Sequence, residues 1–198
     1  MTICQYYDDH AASFIARTRA ADLSGPRARF LSAAPPGAGG AARILDAGSR
    51  SGRDALAFCR LGDRVAAFDA SPAMAAAPRR HAGVPARQMR FDVCCWEHPF
   101  EVIWACVSLL HAGLVDLSAV VCRMAEHLTA GGALSMSFKL GAGERREASR
   151  VFMDLTDAGA RALVDGRPLL CRPEVWLSQD MRADAAGTKW INALAVQA

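Results

Sequence analysis

A short loop rich in small residues, Gly48 to Gly52, separates an apolar stretch from a helical one within the segment ILDAGSRSGRD, and we call it the glycine loop. Arg43 to Ala47 predicts a buried strand, and Arg53 to Leu61 predicts a helix that Gly62 ends. Backbone N–H groups and the dipole at the start of that helix favour an anionic ligand group, and glycine lets a ligand approach the backbone closely. The alternative is an ordinary strand-to-helix turn that binds nothing.

An acidic residue, Asp69, follows a second predicted strand, Arg64 to Phe68. It lies about 20 residues after the glycine loop, where a carboxylate is placed to accept hydrogen bonds from ribose hydroxyls. The alternative is that Asp69 caps the helix that begins at Pro72. Asp46 ends the first strand in the same way, and open α/β sheets bind ligands at the carboxyl ends of their strands. The two acids together therefore indicate a ligand site more specifically than either does alone.

Strands and helices alternate along the chain, which predicts an α/β fold with a mostly parallel, doubly wound sheet and right-handed crossovers. The last two strands have no helix between them and should form an antiparallel hairpin. We expect a single domain over residues 1–198, with a helical lid at 1–36 and a Rossmann-like core at 41–198. The other predicted elements are one or two helices within 5–33, a helix from Pro72 that Pro78 ends early, strands at 86–91, 102–107 and 133–140, helices at 114–128 and 156–164, and closing strands at 169–178 and 189–196.

Composition narrows the class of protein. The chain has 198 residues, 52% hydrophobic residues and a net charge of +3, and its arginines are scattered, so we expect no nucleic-acid partner. The first ten residues are polar and acidic, unlike a secretory signal, and no apolar run is long enough to span a membrane. Seven cysteines in such a chain are expected to be reduced thiols, which predicts a cytoplasmic protein.

One cluster could suggest a metal site. Cys94, Cys95 and His98 lie within five residues, but no second half with matching ligand spacing follows. Ordinary buried or loop thiols are the simpler interpretation, and we expect no bound metal.

Taken together, these segments resemble the class I S-adenosylmethionine-dependent methyltransferases, in particular the tellurite-resistance-like group of small bacterial enzymes. The resemblance runs in order through nearly the whole chain. The matching segments are Tyr6 to Asp8, Arg17-Thr18, Ile44 to Phe58, Val65 to Met74, Phe100 to His111, Gly131-Gly132, Ser137 to Arg145 and Trp190 to Asn192. It implies a seven-stranded sheet with six parallel strands, the cofactor S-adenosyl-L-methionine and methyl transfer to a small-molecule acceptor.

The resemblance also implies roles for matching positions. Around the methionine end of the cofactor it places Asp46, Gly48, Ser49, Ser51 and Gly52. Around the adenosine it places Asp69, Ala70, Met74, Asp92 and Val93. Near the sulfonium it places Ala105 and Cys106. On the acceptor side it places Leu109 and His111, with Tyr7 and Arg17 closing over the site from the N-terminal helix.

This chain departs from the family pattern at Arg50. The family loop follows Asp-x-Gly-x-Gly-x-Gly, and Arg50 stands at the middle glycine. If the position has a positive φ, arginine costs on the order of 1 kcal/mol or more. Its guanidinium could instead pair with the cofactor carboxylate. The alternative is a degenerate protein that binds a cofactor or a partner without turnover.

Methyl transfer from a sulfonium needs alignment and exclusion of water more than acid–base help. If the acceptor must lose a proton, His111 is the best candidate base, because an ordinary histidine pKa lies near neutrality, and Tyr7 is a weaker candidate. A purely structural histidine is the alternative. A nicotinamide-dependent oxidoreductase is the third class considered, but the chain lacks the Gly-x-Gly-x-x-Gly fingerprint. The sequence does not identify the acceptor.

Overall fold

The computed structural model describes residues 2–112, 114–147, 150–182, 185 and 187–198. The α-helices that it contains are α1 (Ile3–Asp9), α2 (Ala11–Arg19), α3 (Ser24–Ala33), α4 (Arg53–Arg60), α5 (Pro72–Ala82), α6 (Leu114–Glu126) and α7 (Asp157–Ala162). The strands are β1 (Arg43–Ala47), β2 (Arg64–Asp69), β3 (Ala86–Gln88), β4 (Phe100–Ala105), β5 (Leu128–Lys139), β6 (Gly143–Glu147), β7 (Arg150–Asp154), β8 (Leu170–Gln179) and β9 (Lys189–Gln197). No helix among these described residues is both long and apolar enough to cross a membrane.

The main sheet has seven strands in the order β3-β2-β1-β4-β5-β9-β8. Neighbours from β3 to β5 pair in parallel, whereas β9 runs antiparallel to both β5 and β8. Six strands therefore point one way, and the predicted sheet and C-terminal hairpin are confirmed. The order reverses between β1 and β4, and such a switch point opens a crevice at the carboxyl ends of the strands.

Strand β4 shows why the sheet is covered on both faces. Ile103 belongs to one fully buried cluster with helix α6, whereas Val102 and Trp104 belong to a second cluster on the opposite face. In that second cluster the ring of Phe30 from α3 lies 5.0 Å from the ring of Trp104. Helix α3 therefore packs into the core through Phe30, whereas Tyr7 of α1 and Phe14 of α2 face the crevice.

Several boundaries differ from the predictions. Three helices, not one or two, precede β1. Strand β3 is only three residues long, and β5 begins at Leu128, five residues before the predicted start at residue 133. The hairpin formed by β6 and β7 was not predicted, and it forms a separate two-stranded sheet. Strand β6 has the sequence GERRE, with no alternation of apolar and polar residues, so hydrophobic periodicity cannot detect it.

The prediction that Pro78 ends its helix is wrong. Helix α5 begins after the cap residue Ser71 and continues through Pro78 to Ala82, where Gly83 ends it with φ 69°. Tertiary contact outweighs the local cost of the proline, because Pro78 is buried against the glycine loop. A Cβ on Gly52 would lie 2.6 Å from the Pro78 Cα, so only glycine allows this close approach.

Candidate functional site

Two cavities lie in the crevice at the carboxyl ends of the strands. We call the one lined by Asp46, Ser49 and Arg53 the loop cavity, with a volume of about 390 Å³. We call the other, of about 680 Å³, the Asp69 cavity. Four residues line both cavities, so the two adjoin: Tyr7, Gly48, Arg50 and His111.

The glycine loop is fixed between neighbouring strands. The backbone N–H groups of Gly48 and Ser49 both donate to the Phe68 carbonyl at 3.0 Å. Gly48 has φ 78°, and a Cβ added there would lie 2.5 Å from the Ser108 Cβ. Ser108 cannot easily move, since its hydroxyl donates to the Ala47 carbonyl at 2.6 Å. Glycine is therefore required here both by the backbone conformation and by the neighbouring side chain.

Arg50 has φ 46°, the left-handed conformation that the sequence analysis considered. Its backbone N–H donates to Asp69 Oδ2 at 3.1 Å, which ties the glycine loop to the end of β2. Its guanidinium lies 5.6 Å from the centre of the Phe14 ring. Within the described residues no carboxylate forms an ion pair with this guanidinium.

Asp69 lines its cavity and does not cap helix α5. Its Oδ1 accepts from the Ser71 N–H at 3.0 Å, and the cap is Ser71, whose hydroxyl accepts from the Met74 N–H. Burial raises the pKa of the Asp69 carboxyl above its ordinary value. The Ser71 hydroxyl in turn donates to Asp8 at 2.5 Å, which docks α1 beside this cavity.

Asp46 is buried at the start of helix α4. Its Oδ2 accepts from the Ala55 N–H at 3.2 Å, and burial together with the nearby Asp54 raises its pKa well above the ordinary value. Burial alone would raise the pKa of Asp54 as well. Ion pairs with Arg53 at 2.8 Å and Arg27 at 3.1 Å outweigh burial, so the pKa of Asp54 is lowered. One negative charge at this helix start is therefore already neutralised.

Tyr7 and His111 meet where the two cavities adjoin. The His111 Nδ1 lies 2.9 Å from the Val151 carbonyl, which can only accept, so Nδ1 carries the proton. Nε2 is then the acceptor for the Tyr7 hydroxyl at 2.7 Å. Burial, and next the positive charge of Arg50, lower the His111 pKa to about 3. The prediction of a histidine that titrates near neutrality is therefore wrong.

Most of the predicted site residues lie against a cavity. The loop cavity is lined by Tyr7, Arg17, Asp46, Gly48, Ser49, Ser51, Cys106 and His111. The Asp69 cavity is lined by Asp69, Ala70, Met74 and Asp92, in addition to the shared residues. The structure brings these side chains together, and their roles toward a ligand stay predictions.

Four predicted positions, all within the described residues, line neither cavity. Val93 is 61% exposed, and Phe91 of the same 3₁₀ turn lines the Asp69 cavity instead. Leu109 is fully buried in the core, and the next residue, Leu110, lines the loop cavity. The other two are Ala105, which is enclosed in the sheet, and Gly52, which packs on Pro78.

The residues that complete the loop cavity were not predicted from the sequence. Lys139 ends β5, and Glu147, Arg150 and Phe152 come from the hairpin. The Lys139 position could have been found by the strand-end rule that identified Asp46 and Asp69. Two buried polar atoms that line this cavity, Ser49 Oγ and Arg150 Nε, have no hydrogen-bond partner among the described residues.

The Cys94 cluster has no metal-site geometry. Among the described residues no group of three histidine, cysteine or acidic side chains is arranged to hold a metal ion. Cys94 is buried, which raises the pKa of its thiol to about 11, and Cys95 is exposed.

Less than half of the chain matches a known family model. Residues 44–132 match the family model described as a methyltransferase domain. Comparison with curated proteins gives no significant match.

Solved structures share the fold across almost the whole chain. The 1,6-didemethyltoxoflavin-N1-methyltransferase of Burkholderia thailandensis has 19% identity and a TM-score of 0.74, with 98% of this chain and 87% of that chain covered. Magnesium protoporphyrin IX methyltransferase from Synechocystis PCC 6803 has 13% identity and a TM-score of 0.73, with 99% and 98% covered. TehB from Haemophilus influenzae has 12% identity and a TM-score of 0.69, with 95% and 67% covered. Residues 44–132 therefore resemble a methyltransferase domain, and the chain shares the Rossmann-like fold of these solved methyltransferases.

Proposed function

We propose that this chain is an S-adenosylmethionine-dependent methyltransferase that acts on a small-molecule acceptor. The observation that carries the proposal is the pair of adjoining cavities at the strand switch point, with Asp69 on one side and the glycine loop at the junction. The Burkholderia and Synechocystis enzymes above were crystallised with bound S-adenosylhomocysteine, which supports the choice of cofactor.

The residues present fit such a cofactor. A carboxylate at the end of β2 is suited to ribose hydroxyls, and the unpartnered Ser49 hydroxyl offers a hydrogen bond to a polar group in the loop cavity. The adenosine would be held by Asp69, Ala70, Met74 and Asp92. The methionine end would be held by Asp46, Gly48, Ser49, Ser51 and Cys106. When bound, the cofactor supplies a methyl group activated by a positively charged sulfur.

The protein contributes position and exclusion of water. Tyr7 and Phe14 pack edge to face at 5.1 Å and cover the crevice from α1 and α2. His111 stays neutral at physiological pH, because its pKa is about 3, and it holds the Tyr7 hydroxyl at a fixed place. Alignment of the reactants can supply most of the rate enhancement without a general base.

The finer assignment to the tellurite-resistance-like group is part of this proposal. The shared fold with TehB supports it. The cytoplasm as the location, and a small molecule rather than a nucleic acid as the partner, are proposals that follow from the cysteine content and the slight net charge.

Calorimetric titration of the purified protein tests the cofactor. We expect S-adenosylhomocysteine to bind saturably at well below millimolar concentration, whereas NAD⁺ gives no heat of binding. Absence of binding at millimolar S-adenosylhomocysteine would contradict the proposed function, and binding of NAD⁺ alone would favour an oxidoreductase.

A degenerate protein is the second candidate, and the left-handed Arg50 is the observation that favours it. The variant Arg50→Gly separates the two. We expect its affinity for S-adenosylhomocysteine to fall about tenfold. The Arg50 guanidinium at the junction forms no ion pair with the described carboxylates, so it can pair with the cofactor carboxylate in a charge-assisted hydrogen bond. Methylthioadenosine, which lacks the amino-acid group, should bind both proteins equally.

The stability of the same variant is the control. Relief of left-handed strain offsets the added unfolded-state entropy of glycine and the lost contact with Phe14, so the free energy of unfolding should change by less than about 1 kcal/mol. An affinity for S-adenosylhomocysteine that rises in Arg50→Gly would mean that the arginine impairs the loop.

A further inference from the structure

Three positive side chains from three different elements converge on His111. Arg50 comes from the glycine loop, Lys139 from the end of β5 and Arg150 from the start of β7. After burial, which is the largest cause, all three charges lower the pKa of His111 electrostatically. All three also line the loop cavity, so the acceptor side of the proposed site lies in a positive field.

Acidic groups of the described residues compensate this field only in part. Glu147 is shared among Arg145 at 2.8 Å, Arg150 at 2.9 Å and Lys139 at 3.9 Å. Asp154 pairs with Arg145. Lys139, Arg145 and Arg150 therefore share the carboxylates of Glu147 and Asp154. Burial, together with the positive charge of Arg145, lowers the pKa of the Lys139 ammonium.

Aromatic rings hold two of these cations against the cavity. The Arg150 guanidinium lies 4.6 Å from the Tyr6 ring centre and 4.9 Å from that of Phe152. The Lys139 Nζ lies 5.1 Å from the Phe152 ring. Arg150 Nε is buried and has no hydrogen-bond partner among the described residues. Because a buried donor without a partner costs free energy, this atom points to an acceptor group that a ligand brings.

We propose that the methyl acceptor is a small organic anion, either a carboxylate or an ionised acidic hydroxyl, whose charged group accepts a hydrogen bond from Arg150 Nε in the loop cavity, beside Lys139. This inference rests on the proposed methyl transfer. An anionic oxygen forms the new bond to the methyl carbon while the carbon–sulfur bond breaks, and the electron pair of that bond stays on sulfur. An anion and a cation thereby become two neutral groups, which a site shielded from water favours.

The same proposal accounts for the absence of a working base at His111. An acceptor that is bound in its ionised form has no proton to lose, so a neutral histidine with a low pKa is sufficient. The cations have two effects in this scheme: they attract the anion, and they keep it ionised in the cavity.

The test uses the full chain, methyl-labelled S-adenosylmethionine and a bacterial metabolite extract divided on an anion-exchange column. We expect labelled product from the retained, anionic fraction and little from the unretained fraction. Alkaline treatment distinguishes the two acceptor groups, because a methyl ester releases labelled methanol and a methyl ether does not. Label from the unretained fraction alone, or none from the retained fraction, would overturn the proposal.

Variants locate the anion. Lys139→Gln and Arg150→Gln should each lower the methylation rate at least tenfold while S-adenosylhomocysteine still binds with unchanged affinity. The matched control is Arg146→Gln, which lies on the same hairpin, is 77% exposed and lines neither cavity, and it should leave the rate unchanged. Equal rates in all variants would contradict the assigned anion site. If the unaltered protein itself failed to bind S-adenosylhomocysteine, the proposed function would be contradicted instead.

Discussion

Asp69→Ala is expected to lower the affinity for S-adenosylhomocysteine about 100-fold. The Asp69 carboxylate accepts hydrogen bonds from the backbone N–H groups of Arg50 and Ser71, and it lines the cavity proposed for adenosine. Hydrogen bonds to a charged group contribute about 1.5–3 kcal/mol each, so two of them toward ribose hydroxyls contribute at least about 3 kcal/mol, which corresponds to about 100-fold in affinity. Isothermal titration of the ligand-free protein measures this loss directly.

The control for this variant is Asp165→Ala, an exposed aspartate that lines neither cavity. Its affinity should equal that of the unaltered protein. Adenosine adds a second check, because it keeps the ribose but lacks the methionine end, and it should lose affinity in Asp69→Ala by the same factor. An unchanged affinity for both ligands would place the ribose elsewhere in the crevice.

The parts of the site that the sequence predicts are those fixed by strand ends. Asp46 and Asp69 lie at the carboxyl ends of β1 and β2. Parallel strands bring these ends to one edge of the sheet, so the proximity of the two acids follows from local pattern and topology. The closing hairpin of β8 and β9 follows from the lack of a helix between two apolar segments. These features depend on residues that are close together in the sequence, so the hydrophobic periodicity reveals them.

The remaining features depend on contacts between distant segments. The low pKa of His111 requires burial and charges that β5 and β7 bring from residues 139 and 150. Helix α5 continues through Pro78 because the proline packs on Gly52, 26 residues earlier in the chain. Phe91 replaces Val93 at the cavity because a single 3₁₀ turn rotates the side chains. None of these contacts leaves a pattern in the local sequence.

Gly48→Ala is expected to lower the free energy of unfolding by about 3 kcal/mol. An alanine at φ 78° costs about 1–2 kcal/mol, and its Cβ would lie 2.5 Å from the Ser108 Cβ, so overpacking adds about 1–3 kcal/mol. For a chain of this size the melting temperature should fall by about 10 °C in a calorimetric scan.

Gly131→Ala is the matched control for Gly48→Ala, because the two positions differ only in their surroundings. Gly131 has φ 74°, and nothing lies within 4 Å of an added Cβ. It should therefore show the backbone cost alone, about 1–2 kcal/mol, with a fall in melting temperature of about 5 °C. The difference between the two variants measures how tightly Ser108 packs against the glycine loop, since Ser108 is held by the Ala47 carbonyl. Equal melting temperatures would mean that the loop moves away from Ser108 at little cost, and a cofactor site built on a rigid loop would then lose its physical basis.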